Sequence, residues 1–203
     1  MAFKIAVAMF KGGACKTTLT VALGEAAAEA GLDVETIDTD PMGGMMRWST
    51  GAEGESRPLR VTVTGMPSAK ELSHRIATTT QHRDLVVIDG PPPGALAIAK
   101  AAIDAADYVL LACPARPADQ DSVPATMSAV MESGKPFNGV LTMARSTLLT
   151  DSGRIALEKM GVPLLKTELN FGDPVADNYG HRSRGPLRKF GIDLFDEIST
   201  KIG

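Results

Sequence analysis

A glycine-rich segment near the start of the chain contains the residue types that bind phosphate groups. Residues 10–18 read Phe-Lys-Gly-Gly-Ala-Cys-Lys-Thr-Thr. The glycines let the backbone come close to a polyphosphate, Lys16 can reach the outer phosphate oxygens, and the Thr17 hydroxyl can ligate Mg²⁺. We therefore predict that this segment, called the phosphate loop below, binds a nucleotide. A tight turn with a solvated lysine is the alternative.

Carboxylates follow two further apolar runs. Asp38 and Asp40 lie in an Asp-Thr-Asp-Pro sequence, and Asp89 follows Leu-Val-Val-Ile and precedes Gly-Pro-Pro. A carboxylate at the tip of a buried strand can hold the water shell of Mg²⁺, which is the role we predict for Asp89, with helix capping as the alternative. Carboxylates spaced by one residue in an extended segment point to opposite sides, so only one of Asp38 and Asp40 can face the terminal phosphate. An Asx-turn before Pro41 is the alternative use of this pair.

The elements around these residues alternate between strand-like and helix-like patterns. An apolar run at 3–9 and a stretch rich in Ala, Leu and Glu at 17–30 predict strand, phosphate loop and helix in that order, which directs N–H groups and a helix dipole at an anion. Further strands are predicted at 34–38, 59–64, 84–89, 108–113, 137–143 and 163–166, and further helices at 68–80, 95–105, 122–132 and 152–160. We therefore predict a doubly wound α/β fold, a mostly parallel sheet with helices on both faces and its ligand at the carboxyl ends of the strands.

Length and composition favour a single domain over residues 1–203. The chain has 203 residues, of which 44% are hydrophobic, and no low-complexity linker divides it. It contains no run of about 18 apolar residues and no signal-peptide pattern, so we expect neither a membrane span nor export. The two cysteines, Cys15 and Cys113, exclude a disulfide scaffold and fit a reducing cytoplasm. With a net charge of −3, any contact with nucleic acid must come from a local basic patch.

The phosphate loop departs from the strict G-x-x-x-x-G-K-[ST] motif, because Phe10 and Cys15 occupy the positions of its framing glycines. It matches x-K-G-G-x-x-K-[ST], and in this it resembles the ParA/MinD family of deviant Walker A ATPases, which have a P-loop NTPase fold. The Asp-x-Asp-Pro and Asp-x-Pro-Pro sequences are similar to that family as well. Residues 42–48, which end in the tryptophan, resemble the nucleotide-sensitive segment of the small plasmid-partition ATPases of the ParF type.

The resemblance implies a Mg²⁺-dependent ATP hydrolase with a slow intrinsic rate, and it implies a role for each matching residue. Lys11 would cross a dimer interface to the phosphates of the partner's ATP, and Asp40 would orient or activate the attacking water beside Lys16. The implied metal contacts are Thr17, Asp38 and Asp89. The remaining implied nucleotide contacts are Gly12, Gly13, Ala14, Cys15, Thr18, Met143 and Arg145. Core packing is the alternative role for Met143, and a surface charge is the alternative for Arg145.

Cys15 is a departure from the family, most members of which have glycine there. A side chain next to the phosphates would weaken nucleotide binding, and the alternative is that it is tolerated because the local φ is negative. The nearby helix N-terminus and two lysines would lower the pKa of the thiol and favour the reactive thiolate. We interpret this as a redox liability and not as a catalytic device.

The last part of the chain carries a basic run. Residues 181–189 contain four arginine and lysine side chains and no acidic residue, and the resemblance places a nonspecific DNA surface in this region. Such a run can attract DNA phosphates without reading sequence, and a solvated loop is the alternative. The predicted DNA contacts are Arg182, Arg184, Arg188 and Lys189. In the final segment, 187–202, apolar residues recur at helical spacing while acids and bases balance, which favours docking on the core over a membrane-surface helix.

Together with the resemblance, these features imply a small ParA-type ATPase that forms a homodimer on ATP, binds DNA nonspecifically and positions or segregates a plasmid or chromosome. A ParB-like or other cargo adaptor would stimulate hydrolysis, and the protein would be cytoplasmic and nucleoid-associated. Because the phosphate loop lies so near the start, we expect no N-terminal helix-turn-helix domain. The alternatives are positioning of a protein cargo such as carboxysomes, a MinD-like membrane-associated ATPase and a dethiobiotin synthetase-like ligase. A nitrogenase iron-protein-like reductase is disfavoured, since only Cys113 is left to hold a bridging cluster.

Overall fold

The computed structural model describes residues 2–145, 148–170 and 172–202. These residues contribute seven strands: β1 (Phe3–Ala8), β2 (Val34–Asp38), β3 (Thr62–Gly65), β4 (Leu85–Asp89), β5 (Tyr108–Pro114), β6 (Phe137–Ala144) and β7 (Leu164–Asn170). The strands form one parallel sheet in the order β3-β2-β4-β1-β5-β6-β7. β1 is therefore central, and the chain leaves it into the phosphate loop.

Helices connect the strands on both faces of the sheet. They are α1 (Lys16–Glu29), α2 (Gly44–Gly54), α3 (Ala69–Thr79), α4 (Leu96–Ala105), α5 (Val123–Ser133), α6 (Leu148–Lys159), α7 (Asp173–Ala176) and α8 (Gly185–Ile202), with a 3-10 turn at Pro117–Asp119. Helices α1 and α8 contribute to the larger of two cores, and α3 and α4 contribute to the smaller one. The predicted doubly wound α/β fold with a parallel sheet is confirmed.

Alternation along the central strands distributes side chains between the two cores. In β1, Ile5 and Val7 belong to the larger core, whereas Ala6 belongs to the smaller one. In β4, Val87 joins the larger core and Ile88 the smaller one. Since both faces of these strands are buried, their sequences are apolar without the polar alternation of a half-exposed strand.

Helix α8 docks on α1 through a close approach of the two backbones. A Cβ added at Gly191 would lie 2.3 Å from the carbonyl oxygen of Ala22, so a glycine is needed at this crossing. The buried side of α8 is formed by Leu187, Phe190, Gly191, Leu194 and Ile198. The predicted docking of the final segment on the core is thus confirmed. Among the described residues, no helix combines the length and apolar character needed to cross a membrane.

Helix α2 was not among the predicted helices, and its start shows why. Its N-cap residue, Gly43, has a φ of 64° and supplies no side-chain cap. Instead, Oδ2 of Asp38, at the end of β2, accepts the N–H of Met46 at 3.0 Å. A carboxylate at a helix N-terminus stabilises both the free N–H groups and the helix dipole. Because this cap comes from a strand end and not from the flanking residue, local capping rules do not find it.

Several strands and helices begin or end at residues other than those predicted. β3 begins at Thr62 and not at residue 59, β7 continues to Asn170 and not only to residue 166, and α6 begins at Leu148 and not at residue 152. The ladder of β3 with β2 begins with the pair Thr62 and Glu35, so strand pairing, and not the apolar pattern, sets that end.

Candidate functional site

The sheet register brings the predicted chemical segments to one edge. Val7 of β1 pairs in register with Asp89 of β4, and Asp89 in turn pairs with Asp38 of β2. The phosphate loop leaves the carboxyl end of β1. The loop and the two carboxylates therefore meet at the carboxyl ends of adjacent parallel strands, where doubly wound folds bind their ligands.

The phosphate loop contains two residues in the left-handed conformation before α1 begins. Gly13 has a φ of 71°, and Cys15, the N-cap of α1, has a φ of 64°. Left-handed residues occur in loops whose successive N–H groups form anion-binding concavities. The Cys15 side chain makes no capping hydrogen bond. The N-terminus of α1 thus keeps N–H donors and a positive dipole end for an anion.

Lys16 is the buried cation of the phosphate loop. The residue is 9% exposed, and its Nζ donates to the carbonyl oxygen of Lys11 at 3.0 Å. Burial lowers the pKa of Lys16 below the ordinary lysine value, although the carboxylates of Asp89 and Asp40 oppose the shift. The lysine is therefore held at the meeting point of the loop and the acidic strand ends.

Asp89 lies in a fully buried position behind the phosphate loop. Its carboxylate accepts hydrogen bonds from the hydroxyl groups of Thr17 at 2.8 Å and Thr20 at 3.2 Å. Burial raises the pKa of Asp89 to about 7, Asp38 adds to the increase, and the Thr17 hydroxyl and Lys16 oppose it. The carboxyl group is consequently poised to change its protonation state near neutral pH.

Asp38 uses both carboxylate oxygens on the backbone. Oδ1 accepts the N–H of Asp40 and Oδ2 accepts the N–H of Met46, both at 3.0 Å. These contacts hold the Asp-Thr-Asp-Pro segment and the start of α2 beside β4. Asp38 therefore positions other groups, and its predicted contact with a metal stays a prediction.

Asp40 forms the Asx-turn that is the alternative to a chemical role. Its Oδ1 accepts the N–H of Met42 at 2.7 Å, and its carbonyl oxygen accepts the N–H of Gly43 at 2.8 Å. The carboxylate also acts on Lys16, where its charge opposes the lowering of the pKa by burial. The turn and a role toward a water molecule are compatible, and that second role stays a prediction.

Lys11, which the family resemblance assigns to a dimer interface, is held within its own subunit. Its Nζ donates to Oδ1 of Asp119 at 2.8 Å, and both side chains are about one-third exposed. This hydrogen bond lowers the pKa of Asp119 below its ordinary value. The 3-10 turn that carries Asp119 is fixed by buried Gln120, whose Nε2 donates to the carbonyl oxygens of Pro114 and Gly153. A Lys11 that contacts a partner subunit must first leave Asp119.

Cys15 contradicts one expectation and does not meet the condition for a tolerated side chain. Its φ is positive, a conformation that destabilises a non-glycine residue by about 1–2 kcal/mol. Burial raises the pKa of the thiol more than the neighbouring Lys16 lowers it. The expectation of a lowered pKa was wrong, because desolvation of the thiolate outweighs the attraction of the lysine.

An apolar cavity of about 250 Å³ adjoins the phosphate loop. Cys15 and Thr18 line it at the start of α1, and Met143 lines it at the end of β6. Trp48 of α2 and Tyr179 complete this wall, with ring centroids 5.2 Å apart and planes inclined by 58°. A mostly apolar cavity beside an anion-binding loop suits a flat nucleobase.

Met143 reaches this cavity because β6 is irregular there. Its φ is 54°, and the pairing of β6 with β7 changes register between Thr142 and Ala144. The predicted adenine contact of Met143 is therefore placed beside the phosphate loop. Arg145 is exposed and lies outside the described lining of the cavity, with its backbone N–H donating to Thr150 Oγ1 at 2.9 Å.

The predicted DNA contacts divide between two places. Arg182 and Arg184 precede α8, and their guanidinium groups donate to the carbonyl oxygens of Pro58 and Asp177. Both acceptors are neutral, so neither of these hydrogen bonds pairs an arginine with a carboxylate.

Arg188 and Lys189, on the first turns of α8, are instead paired with acids. Arg188 donates to both carboxylate oxygens of Glu29, and Lys189 lies 2.6 Å from Asp193. Residues 181–189 therefore do not form the continuous basic patch that the sequence suggests. DNA binding by these residues stays a prediction.

The donors near the phosphate loop fit a magnesium ion that is held largely by nucleotide and water. No group of three or more His, Cys, Asp and Glu side chains within the described ranges could hold a metal ion without help. Thr17, Asp38 and Asp89 contribute hydroxyl and carboxylate oxygens. Nucleotide-associated Mg²⁺ typically takes one or two carboxylates, phosphate oxygens and water, which is compatible with this set.

Four side chains of the site were not predicted as such. Thr20 lies three residues after Thr17, on the same side of α1, and this spacing could have identified it. Trp48 was predicted only as part of a nucleotide-sensitive segment, and not as a wall of the cavity. Asp119 and Tyr179 reach the site only through the path of the chain, and no local pattern marks them.

Residues 5–183 match the sequence profile of CbiA, described as the CobQ/CobB/MinD/ParA nucleotide binding domain. The chain belongs to the CobQ/CobB/MinD/ParA nucleotide-binding family. The predicted ParA/MinD family is thereby confirmed, and the protein is a ParA/MinD-type ATPase by its family and fold. Its likeness to the ParF type in particular stays a prediction.

Relatives of this ParA/MinD-type protein include the maintenance of carboxysome distribution protein A of Halothiobacillus neapolitanus. It is 28% identical over 213 residues, which cover 99% of this chain and 96% of the relative. The structure of the cell division ATPase MinD from Pyrococcus furiosus is similar over 99% of this chain and 100% of that chain, with a TM-score of 0.82 and 19% identity. Cobyrinic acid a,c-diamide synthase from Mycobacterium smegmatis, solved with ADP and magnesium, is similar over 98% and 94% of the two chains, with a TM-score of 0.76 and 18% identity.

Proposed function

We propose that this protein is an ATP-switched positioning ATPase that distributes a large protein assembly. ATP brings two copies together, the dimer binds DNA without sequence preference, and an adaptor on the cargo stimulates hydrolysis. The observation that carries the cargo class is the identity, over nearly the full length of both chains, to a protein named for the maintenance of carboxysome distribution.

The geometry of the phosphate loop supports the ATP switch. Lys16 and the free N–H groups of α1 bind the phosphates, and the cavity lined by Met143 and Trp48 takes the adenine. Lys11 leaves Asp119 and extends to the nucleotide of the partner subunit, so the dimer forms only when ATP is loaded. Asp40 orients the attacking water. Hydrolysis is slow until the adaptor completes the arrangement, as in GTPases that await an activating protein.

Thr17, Asp89 and Asp38 are the residues that would hold Mg²⁺. When bound, the ion neutralises charge on the β- and γ-phosphates. A solved structure of similar fold contains ADP and magnesium, which supports the proposed use of Mg²⁺ with the nucleotide.

The proposed switch is tested by light scattering and a DNA mobility shift on wild type and Lys11→Ala, each without nucleotide, with ADP and with ATP. We expect dimers and DNA complexes of the wild type only in ATP, and neither with Lys11→Ala. Lys70→Ala, which removes an exposed charge from α3 on the opposite face of the sheet, is the matched control and should behave as wild type. A nucleotide-loaded wild type that stays monomeric and off DNA in ATP contradicts the proposal.

The kind of protein that the adjacent open reading frame encodes tests the proposed class of cargo. A component of a protein compartment, purified and shown to recruit this ATPase, supports the proposed cargo. If the reading frame instead encodes a small basic DNA-binding protein that stimulates the ATPase, the cargo is a plasmid or chromosome and not a protein assembly.

A further inference from the structure

Three threonine side chains donate hydrogen bonds to Asp89, and the function proposed above uses only one of them. Thr17 Oγ1 donates to Oδ2 of Asp89 at 2.8 Å, and Thr20 Oγ1 donates to Oδ1 at 3.2 Å. The hydroxyl group of Thr39 donates to the carbonyl oxygen of Asp89. Thr17 is an implied contact of Mg²⁺, so the hydrogen bonds of Thr20 and Thr39 are the two without an assigned purpose.

Thr39 holds the backbone of Asp89. Its N–H and its hydroxyl group both donate to the carbonyl oxygen of Asp89, the N–H at 3.3 Å, just beyond the point where Asp38 of β2 pairs with Asp89 of β4. The next residue is tied as well, because the N–H of Gly90 donates to the carbonyl oxygen of Val7 at 3.0 Å. The main chain at Asp89 is therefore fixed, and the freedom that is left to the residue lies in its side chain.

The plane of the Asp89 carboxylate depends on the other two threonines. The terminal torsion of an aspartate side chain is broad, so a carboxylate with a single hydrogen-bond donor can turn about its Cβ–Cγ bond. In this site Thr17 donates to one carboxylate oxygen and Thr20 donates to the other. Two donors on different oxygens define the plane of the carboxylate, which one donor alone does not.

The packing of α1 sets the position of Thr20. Thr17 and Thr20 are three residues apart and therefore lie on the same side of this helix. One turn later, a Cβ added at Gly24 would lie 3.2 Å from Cγ2 of Thr36 on β2, so the absence of a side chain at Gly24 lets α1 approach the sheet closely. Thr20 is 0% exposed, so its hydroxyl group is closed to bulk water and has Asp89 as its acceptor.

We propose that Thr20 is a positioning residue for Mg²⁺, which fixes the orientation in which the Asp89 carboxylate would hold the water shell of the ion. The inference rests on the proposed use of Mg²⁺ with the nucleotide, and it adds a residue that acts only through Asp89. The Thr17 hydroxyl can donate its hydrogen to Asp89 and still offer an oxygen lone pair to the ion. Removal of a side chain that orients a metal-holding group typically weakens metal affinity by about tenfold to a hundredfold.

Calorimetric titration with ADP, in excess Mg²⁺ and in EDTA, tests the role of Thr20. ADP is not hydrolysed and does not bring about the proposed dimer, so the ratio of the two dissociation constants measures only how much Mg²⁺ strengthens nucleotide binding. The titrations are made at about pH 8.5, above the pKa of Asp89, which burial raises to about 7, so that the carboxylate is ionised. Thr20→Val should reduce this ratio about tenfold and leave the affinity in EDTA within about twofold of wild type.

Thr20→Ser and Thr36→Val are the matched controls. Thr20→Ser keeps the hydroxyl group and should stay close to the wild-type ratio. Thr36→Val removes the hydroxyl group of a buried threonine on β2 that donates to the carbonyl oxygen of Thr62 at 3.3 Å and not to Asp89. This second control should leave the ratio unchanged.

The stability of the variants is followed in parallel. Thr20→Val leaves one oxygen of a buried carboxylate without its donor, so the Tm of the nucleotide-free variant should fall. Retained binding in EDTA shows that the assayed protein is folded. Thr20→Ala makes the same comparison with a smaller side chain if Thr20→Val does not fold.

Three results would each overturn the inference. They are a wild-type ratio in Thr20→Val, an equal loss of affinity with and without Mg²⁺, and an equal loss of the ratio in Thr36→Val. A wild type whose ADP affinity does not depend on Mg²⁺ contradicts the proposed use of the ion and the inference with it, and this failure is recognised without any variant. The titrations involve no dimer, DNA or cargo, so the proposed positioning function is judged separately.

Discussion

Lys11 and Asp119 form an ion pair within one subunit, with 2.8 Å between Nζ and Oδ1. The pair joins the phosphate loop to the turn after β5. Since both side chains are partly exposed, the pair stabilises this arrangement by only about 0.2–1 kcal/mol. The contact is therefore strong enough to hold Lys11 in the single subunit and weak enough for ATP and a second subunit to open it.

Replacing Asp119 by asparagine should favour the ATP-dependent dimer. The variant no longer holds Lys11 by charge, and each dimer opens two such pairs, so we expect the dissociation constant of the dimer to fall by about twofold to thirtyfold. Sedimentation velocity over a protein concentration series in ATP measures it. Asp121→Asn removes a nearby exposed carboxylate that has no ion pair among the described residues, and should leave the dimer unchanged. A weaker dimer in Asp119→Asn would mean that Asp119 supports the interface.

Asp89 should make Mg-ATP binding dependent on pH. Its pKa of about 7 means that the carboxyl group becomes protonated as pH falls through neutrality, and the protonated form holds a hydrated Mg²⁺ poorly. We expect affinity to fall by up to about tenfold for each pH unit below 7 and to level off above it. Calorimetric titrations across this range test it, with Asp89→Asn as the variant that should bind weakly at every pH. A wild-type affinity that is constant across neutrality would contradict the prediction.

The same pKa shift acts on folding with a definite sign. The folded pKa lies above the unfolded value of 3.8, so between about pH 4 and pH 7 the unfolded chain has released a proton that folded Asp89 retains. The contribution of Asp89 to the free energy of unfolding of the nucleotide-free protein therefore decreases as pH rises through this window and is constant above it. Urea denaturation measures the free energy of unfolding of wild type and of Asp89→Asn at each pH. The wild-type value minus the Asp89→Asn value should decrease as pH rises through this window.

Trp48 should report on occupation of the base cavity. It is the sole tryptophan of the chain and lines the cavity together with Tyr179. We expect its fluorescence to change in intensity or wavelength when ATP or ADP binds, because a stacked base alters the environment of the indole. Inorganic tripolyphosphate should produce a much smaller change, since it fills the phosphate loop and leaves the cavity open. Equal responses to ATP and tripolyphosphate would show that the base lies elsewhere.

Cys15 should react slowly with thiol reagents and be protected by nucleotide. Burial raises its pKa, so less thiolate is present at neutral pH than in a free cysteine, and the thiol lines the base cavity. Mass spectrometry of iodoacetamide-treated protein follows the rate, which ATP should reduce further. Cys113, buried and with a pKa raised to about 12, serves as the internal control and should stay unmodified while the protein is folded. Rapid labelling of Cys15 that ATP does not change would contradict this placement.

Much of the fold follows from pattern alone. Uninterrupted apolar runs such as Leu-Val-Val-Ile, and the run before the phosphate loop, mark buried parallel strands. Helix α2 was not predicted from the pattern, because its start depends on Asp38, eight positions before Met46. The left-handed backbone conformation of Cys15 was not predicted either, since only the surrounding structure forces a non-glycine residue to adopt a positive φ.

The motifs alone predict the nucleotide chemistry of this protein, because Lys16 and Thr17 lie in one glycine-rich loop and Asp38, Asp40 and Asp89 follow apolar, strand-like runs. The tertiary structure decided how these groups are controlled. Lys11 and Asp119 are 108 positions apart, and Trp48 and His181 are 133 positions apart. Contacts of such separation depend on the order in which the chain adds strands to the sheet. The ion pair on Lys11 and the base cavity therefore form only when that order brings their segments together.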